Sequence, residues 1–175
     1  CELYQNKLNL LAASSFKSKG ITKGLITDVE LVTESVKKAF SEIEDMLGIR
    51  IKKVITSIPS FNAEYNVVKG NIKIKNPESR VTSEDIMKVL EVAVKSNPYT
   101  LREMITILPI DYSLDDKAFI SNPKGMLGIN LGCRGVLVTT PKKNVYSVIT
   151  LLESIGIEVV DISLNNIGDL YSFNN

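Results

Sequence analysis

The chain has 175 residues, of which 44% are hydrophobic and 23% charged, a composition typical of a folded globular protein. The net charge is only +1 and Trp is absent, so neither a basic surface nor base-stacking aromatics favour a nucleic-acid partner. Histidine is also absent and the two cysteines make no disulfide framework, which removes the commonest general base and metal ligand.

No signal peptide opens the sequence, and no apolar run approaches the roughly 18 residues that a membrane span requires. We therefore expect a soluble, cytosolic chain. Because it begins at Cys1 rather than at a methionine, we expect further sequence to precede it.

The first elements are predicted to be a β-hairpin, Cys1–Tyr4 and Leu8–Ser15, and a glycine-punctuated connection over residues 17–24. A helix is predicted next, because Thr27 and Glu30 have capping-box spacing and apolar residues follow at helical intervals. Its apolar stripe comprises Leu31, Val32, Val36, Ala39, Phe40, Ile43 and Leu47.

Two strands are predicted in the middle of the chain, Ile51–Ile58, ending at Pro59, and Tyr65–Lys75. In the second strand, one face carries Val68, Ile72 and Ile74, and the other carries Lys69, Asn71, Lys73 and Lys75. One buried and one wet face is the antiparallel pattern, and the lysines suit an edge strand that resists chance pairing.

A second helix is predicted to begin at the capping-box pair Thr82 and Asp85 and to end at Asn97-Pro98. Its inward residues are predicted to be Ile86, Val89, Leu90, Ala93 and Val94. The following strand, Met104–Tyr112, is apolar on both faces and is predicted to be central. Pro109 interrupts the strand and implies a bulge or an unpaired N–H in the ladder.

The last third is predicted to contain a strand over Leu131–Thr139 and a helix with Thr140 as its cap and Pro141 at its first position. A strand over Ile157–Ile162 follows, and Ser163 is predicted to cap a last helix that reaches about Phe173. The whole pattern predicts an α+β chain with two compact parts.

Several features resemble chemical sites but have simpler interpretations. Gly20–Gly24 lacks the spacing of a phosphate-binding P-loop, and Asn122–Gly128 is followed by a predicted strand rather than a helix, so both are interpreted as surface turns. Cys133 lies in an apolar strand, where a buried, inert thiol is expected. Asp115 and Asp116 are adjacent and are interpreted as a solvated turn, and Glu42, Glu44 and Asp45 as the wet side of the first helix. We therefore predict no catalytic residue, no metal ligand and no cofactor-binding residue in this sequence.

Five short patterns, in order along the chain, resemble the FtsA family of bacterial cell-division proteins. They are the Ser-x-Gly-x-x-x-Gly-x-x-x-Asp pattern at Ser18, Gly20, Gly24 and Asp28; the helix start Val81–Ile86; the strand with Leu108, Pro109, Tyr112 and Asp115; the loop Asn122–Gly128; and the helix exit Leu152–Ile157. Together they cover nearly the whole chain.

The resemblance implies a fold that composition and periodicity alone do not give. FtsA-like proteins have the actin/Hsp70-like (RNase H-like) ATPase fold with an inserted subdomain 1C of the SHS2 type, a small antiparallel sheet with a helix. On that mapping, residues 1–58 and 140–175 are part of subdomain 1A, and residues 59–139 are subdomain 1C.

The resemblance also implies a function in cell division. FtsA-like proteins polymerise, link FtsZ to the cytoplasmic face of the membrane at midcell, and recruit later divisome proteins such as FtsN. The family's two phosphate loops would lie before Cys1 and after Asn175, so ATP with magnesium is expected only for a full-length parent. The FtsZ-binding subdomain and the amphipathic membrane helix are likewise expected outside this sequence.

The leading hypothesis is accordingly a non-enzymatic scaffold module that serves self-association and partner binding. Its candidate protein-interaction surface is the outer row Lys69, Asn71, Lys73 and Lys75, for which a solvated edge is the alternative interpretation. Two other hypotheses are a PilM-type actin-like adaptor of type IV pilus assembly and a small nucleotide-binding enzyme.

Overall fold

The computed structural model describes residues 1–75, 80–96 and 101–167. The chain divides into two compact units, Cys1–Phe61 with Lys143–Asn175 (unit 1) and Asn62–Lys142 (unit 2). In chain order the elements are β1 (Glu2–Tyr4), β2 (Lys7–Asn9), β3 (Ile21–Thr22), β4 (Leu25–Ile26), α1 (Val29–Leu47), β5 (Lys53–Ile58), β6 (Glu64–Lys73), α2 (Ser83–Lys95), β7 (Arg102–Leu114), β8 (Lys117–Ile120), β9 (Asn130–Pro141), α3 (Lys142–Ser154) and β10 (Glu158–Leu164).

Unit 1 is built around α1, α3 and the parallel pair of β5 with β10. Val32 of α1 and Leu151 and Leu152 of α3 are buried together with Ile157, and Val36 and Phe40 pack against them. The helical spacing of these residues, visible in the sequence, places their side chains on one face of each helix. The small hairpins β1–β2 and β3–β4 belong to the same unit.

The amino-terminal hairpin is shorter than predicted. β2 ends at Asn9, whereas the prediction extended the second strand to Ser15. Leu10 and Leu11 are exposed, and within the described residues β1 is the strand that pairs with β2. A strand of the predicted length would need a partner as long as itself, and β1 has only three residues.

The predicted cap of α1 at Thr27 is wrong. Asp28 is the N-cap, and its Oδ1 accepts a hydrogen bond from the Leu31 N–H at 3.1 Å. Thr27 instead directs its hydroxyl to the Gly20 carbonyl at 3.0 Å, which also accepts the Thr27 N–H. Because this contact with Gly20 occupies Thr27, the N-cap is the next residue, Asp28, which is also a residue type that caps well.

Two predicted helix starts in the carboxyl-terminal third are also wrong. Thr140 and Pro141 are the last residues of β9, opposite Glu103 and Arg102 of β7, so the strand continues to the residue before α3. Ser163 pairs with Ser57 inside β10 and does not cap a helix. The helix end predicted at Phe173 and the one at Asn97-Pro98 lie outside the described residues.

Unit 2 is a four-stranded antiparallel sheet in the order β6-β9-β7-β8, with α2 packed on one face. The edge position of β6, the central position of β7 and a register irregularity after Pro109 are all confirmed, whereas β8 was not predicted. The core contains Val68, Val89, Ala93, Tyr112, Leu114, Leu131, Cys133 and Leu137, with Ile86, Leu90 and Val94 packed against it.

The start of α2 has the predicted capping box. The Asp85 N–H donates to the Thr82 hydroxyl, and Asp85 Oδ2 accepts from the Thr82 N–H at 2.9 Å and from its hydroxyl at 2.6 Å. Two first-turn donors are thereby satisfied at the point where the helix meets the sheet.

The face of α2 toward β6 lies against Gly70. A Cβ at this position would lie 2.7 Å from the Ala93 nitrogen and would overlap the Val89 carbonyl oxygen. The strand therefore carries glycine where the helix backbone approaches it most closely.

Candidate protein-interaction surface

The predicted lysine row lies along the free edge of the unit 2 sheet. Lys69, Asn71 and Lys73 point to the exposed face of β6, and Lys75 is exposed two residues beyond the end of the strand. The intervening Val68 and Gly70 are buried. The alternation read from the sequence is therefore present in the structure, with all four side chains open to solvent.

The main chain of these residues is also open. Ile74 donates its N–H to the Ile129 carbonyl at 2.8 Å, one step beyond the register pair Lys73 and Asn130. In an antiparallel ladder, hydrogen-bonded and non-hydrogen-bonded pairs alternate. Even-numbered residues of β6 therefore bond to β9, and the odd-numbered ones direct N–H and C=O away from the sheet. Within the described residues nothing bonds to these groups of Lys69, Asn71 or Lys73.

The charges of the row are not neutralised by neighbouring strands. Lys69 stands opposite Arg134 of β9, whose guanidinium forms an ion pair with Asp111 of β7. Across residues 1–75, 80–96 and 101–167, Lys69, Lys73 and Lys75 have no ion-pair partner. The edge of the sheet is therefore a positively charged strip on a chain whose net charge is nearly zero.

An open groove of about 390 Å³ runs between β6 and α2, beside the lysine row. Its apolar lining comes from Ile72 and from Val92, which is 41% exposed. Its charged lining comprises Lys73, Lys75, Asp85, Lys88, Glu91 and Lys95. On the helix side these charges are internally matched, because Lys88 pairs with Glu84 and Lys95 with Glu91. The unmatched charges lie on the strand side.

The lysine row could be read from the sequence, whereas the groove could not. Val92 lies three residues after the inward residue Val89, at the border of the apolar face of α2. Its partial exposure therefore could not be read from the helical spacing. Ile72, on the other side of the groove, belongs to β6, and a connecting segment separates that strand from α2. The feature that marks this site is a pair of apolar side chains, Ile72 of β6 and Val92 of α2, that are each only partly covered.

Cys133 has the environment of an inert thiol. It is buried in the unit 2 core, and its Sγ–H donates to the Val89 carbonyl at 3.4 Å. Burial raises the pKa of the thiol, which disfavours the thiolate that nucleophilic chemistry requires. Cys1, the other cysteine, is exposed in unit 1.

The acidic candidates have structural partners. Asp115 accepts the main-chain N–H groups of Asn130 and Ile129, which lower the pKa of its carboxyl and hold the turn before β9. Glu44 was interpreted as solvated, but its side chain is only 13% exposed and accepts the Ile51 N–H at 2.8 Å and Arg50 at 2.7 Å. The Ile51 N–H, followed by Arg50, lowers the pKa of Glu44.

The two glycine-containing segments include the connections between successive strands. Gly20–Gly24 contains β3 and the turn to β4, with Lys23 and Gly24 at positive φ, and Asn122–Gly128 lies between β8 and β9. The Asn122–Gly128 loop bonds back to Val81 through Gly125 and Met126, and Pro123 in it is fully buried. In the part of the chain that the structure describes, no group of three or more Cys, Asp or Glu residues could hold a metal ion.

Comparison with known proteins identifies the fold class first. Residues 62–139 match the model of the SHS2 domain inserted in FTSA. Among solved structures, the PilM-PilN type IV pilus biogenesis complex aligns with a TM-score of 0.52 and 14% identity, over 91% of this chain and 41% of that one. The chain therefore has part of an actin-like fold that carries an SHS2 subdomain.

The relatives with detectable sequence similarity are FtsA cell-division proteins. FtsA of Streptococcus pneumoniae is 29% identical over 164 residues, and FtsA of Bacillus subtilis is also 29% identical over 164 residues. FtsA of Escherichia coli K12 is 24% identical over 165 residues. The chain is therefore similar in sequence to FtsA cell-division proteins along both units, and its residues 62–139 match the SHS2 domain of that family.

The similarity extends over both units but covers only part of each relative. The three matches take in 94%, 93% and 94% of this chain and 36%, 37% and 39% of the respective relatives. The chain thus spans little more than a third of the length of these relatives. None of the helices in the described residues has the length and apolar character needed to cross a membrane.

Proposed function

We propose that this chain is the scaffold part of an FtsA-type division protein and acts by binding other proteins. The observation that carries the proposal is the similarity to FtsA sequences along both units, with the SHS2 match over residues 62–139. In this role the full-length protein polymerises, links FtsZ to the cytoplasmic membrane at midcell and recruits later division proteins such as FtsN.

Within this scaffold we assign residues 1–58 and 140–175 to the actin-like subdomain 1A and residues 59–139 to subdomain 1C. Partner binding and self-association through 1C would use the lysine row, whose side chains and main chain are both open. ATP with magnesium would bind to the full-length parent through segments outside this sequence, and the FtsZ-binding region and membrane helix would also lie there.

The test replaces Lys69, Lys73 and Lys75 with Glu in the full-length protein. We expect weaker polymerisation or weaker binding of later division proteins, because the strip changes from positive to negative. The matched control replaces three exposed lysines of unit 1, Lys17, Lys19 and Lys23, with Glu. Unchanged assembly together with unchanged partner binding in the Lys69 series would remove the proposed surface.

The structural likeness to the PilM-PilN complex supports one alternative, an actin-like adaptor in pilus assembly. A carboxyl-terminal amphipathic helix in the parent, detected as binding to anionic lipid vesicles that its deletion abolishes, distinguishes the FtsA role. Calorimetric titration of ATP into the 175-residue chain tests the enzyme hypothesis, which tight binding would favour over a scaffold.

A further inference from the structure

We propose that β6 accepts a partner segment as a fifth, antiparallel strand of the unit 2 sheet, and that this segment alternates acidic with apolar residues. The inference rests on the proposed function, because it names the class of partner that the lysine row would bind. Three features of the β6 edge support the proposal: its free main-chain groups, its outward side chains and the groove beside it.

The main chain of β6 forms a long and regular edge. β6 pairs with β9 over its ten residues without a register shift, whereas the β7 ladder has two irregularities. Proteins blunt sheet edges with bulges, prolines or charges, and β6 has only its lysines. Within the described part of the chain, every second residue from Val67 to Lys73 offers an unpaired N–H and C=O, so about seven residues of an extended partner can pair along it.

The side chains of the edge define what the partner must carry. Directly opposite residues in an antiparallel pair point to the same face. A partner residue opposite Lys69 or Lys73 therefore points to the lysine row, where a carboxylate finds an unmatched positive charge. The residues between them point to the α2 side, where Ile72 and Val92 offer apolar contact. Acidic and apolar residues in alternation fit both faces.

A second copy of β6 matches this edge less well than an acidic strand, because its outward residues from Val67 to Lys73 include no carboxylate to place opposite the lysine row. An antiparallel pair related by a two-fold axis at Asn71 would place Lys69 of each copy opposite Lys73 of the other. This pair of strands would contain two Lys–Lys oppositions, and like charges directly opposite one another are destabilising. The lysines therefore favour an acidic strand over a second copy of β6, so they select the paired strand as well as protect the edge.

The experiment uses a fluorescent seven-residue peptide of alternating Glu and Val, with blocked ends, titrated into the 175-residue chain by anisotropy. A peptide of the same composition, with all Glu residues before all Val residues, is the control. We expect saturable binding of the alternating peptide and at least about tenfold weaker binding of the control, which cannot satisfy both faces.

Backbone N-methylation tests the strand directly and leaves the protein unaltered. In the proposed register, the Glu amides point to β6 and the Val amides point away. Methylating the Glu amides should weaken binding at least about tenfold, because several hydrogen bonds are lost together. Methylating the Val amides should leave the affinity within about twofold. Equal effects of the two modifications, or no effect of either, would overturn the proposal.

A charge exchange tests the lysines. Lys69→Glu with Lys73→Glu should weaken the Glu–Val peptide about tenfold and strengthen a Lys–Val peptide by a similar factor. Lys17→Glu with Lys19→Glu is the matched control and should change neither. If the Lys69 series weakens partner binding by the full-length protein while the peptide does not bind, strand addition fails and the scaffold role stands.

Discussion

Replacing Gly70 with Ala should separate α2 from the sheet of unit 2. The added Cβ would overlap the Val89 carbonyl oxygen and lie 2.7 Å from the Ala93 nitrogen, whereas ordinary contact begins at 3.4 Å. The obstructing atoms are main chain, and Val89 and Ala93 are both completely buried. No rotation of a side chain relieves the overlap, so the helix must retreat by about 0.7 Å or more, the difference between these two distances.

The expected cost follows from two opposing effects. Overpacking a close-packed core costs about 1–3 kcal/mol, and the rigid obstruction places Gly70→Ala at the upper end. Removing glycine from a strand returns about 0.5–1 kcal/mol, because the unfolded chain loses conformational freedom. The free energy of unfolding of unit 2 should therefore fall by about 2 kcal/mol.

Cys133 provides a direct assay, because its thiol contacts the Val89 carbonyl beneath the same helix. In a Cys1→Ser background, the rate of reaction with a thiol reagent under native conditions reports how often α2 opens. A loss of about 2 kcal/mol should accelerate this reaction about 30-fold. Urea unfolding followed by circular dichroism measures the accompanying change in stability.

Gly132→Ala is the matched control on the neighbouring strand. There the added Cβ meets the Ser113 hydroxyl and, at 2.6 Å, Oδ1 of Asn71, both ends of side chains that can rotate away. Its stability should stay within about 1 kcal/mol of the parent chain. Equal stability and equal Cys133 reactivity in Gly70→Ala and Gly132→Ala would refute the close approach of α2 to Gly70.

Two further predictions concern polar contacts of unit 2. Hydrogen bonds from Thr82 lower the pKa of Asp85, so its stabilisation is present above the unfolded pKa, near 3.8, and is lost as pH falls through the lower folded pKa. Asp85→Asn should cost about 1 kcal/mol at pH 7, a difference that narrows below about pH 4; a constant difference down to pH 2 would contradict this. Arg102 donates to the carbonyls of Asn62 and Thr139 at 2.6 and 3.1 Å, so Arg102→Ala should lower the urea-unfolding free energy by about 2 kcal/mol, and a loss under about 0.5 kcal/mol would contradict it.

Periodicity predicted the elements whose stability comes from one apolar face. The inward residues of α2 and the alternation along β6 were readable because each depends on spacing within one segment. The cap at Asp28 and the extension of β9 through Thr140 were not readable. They depend on Gly20 and Glu103, residues that a local pattern does not place beside them.

The candidate site divides in the same way. The outward lysines follow from alternation alone, so the sequence identified them correctly as a row. Which main-chain groups of β6 remain free depends on its register with β9, set by contacts such as Ile74 with Ile129. The groove needs the packing of α2 against the strand. The sequence therefore locates the lysines. The pairing of β6 with β9 and the packing of α2 determine which main-chain groups and which groove lie beside them.

The first and last strands of unit 2 are neighbours, with Glu64 directly opposite Thr139, and Arg102 bonds to main-chain oxygens at both ends. The Cα atoms of Glu64 and Thr139, each within three residues of an end of the unit, therefore lie about 5 Å apart. A host protein that opens a short surface loop can receive such a piece with little loss of loop entropy or disturbance of its own backbone. We expect that a unit with adjoining ends can be inserted at such a loop without separating the two ends of the loop.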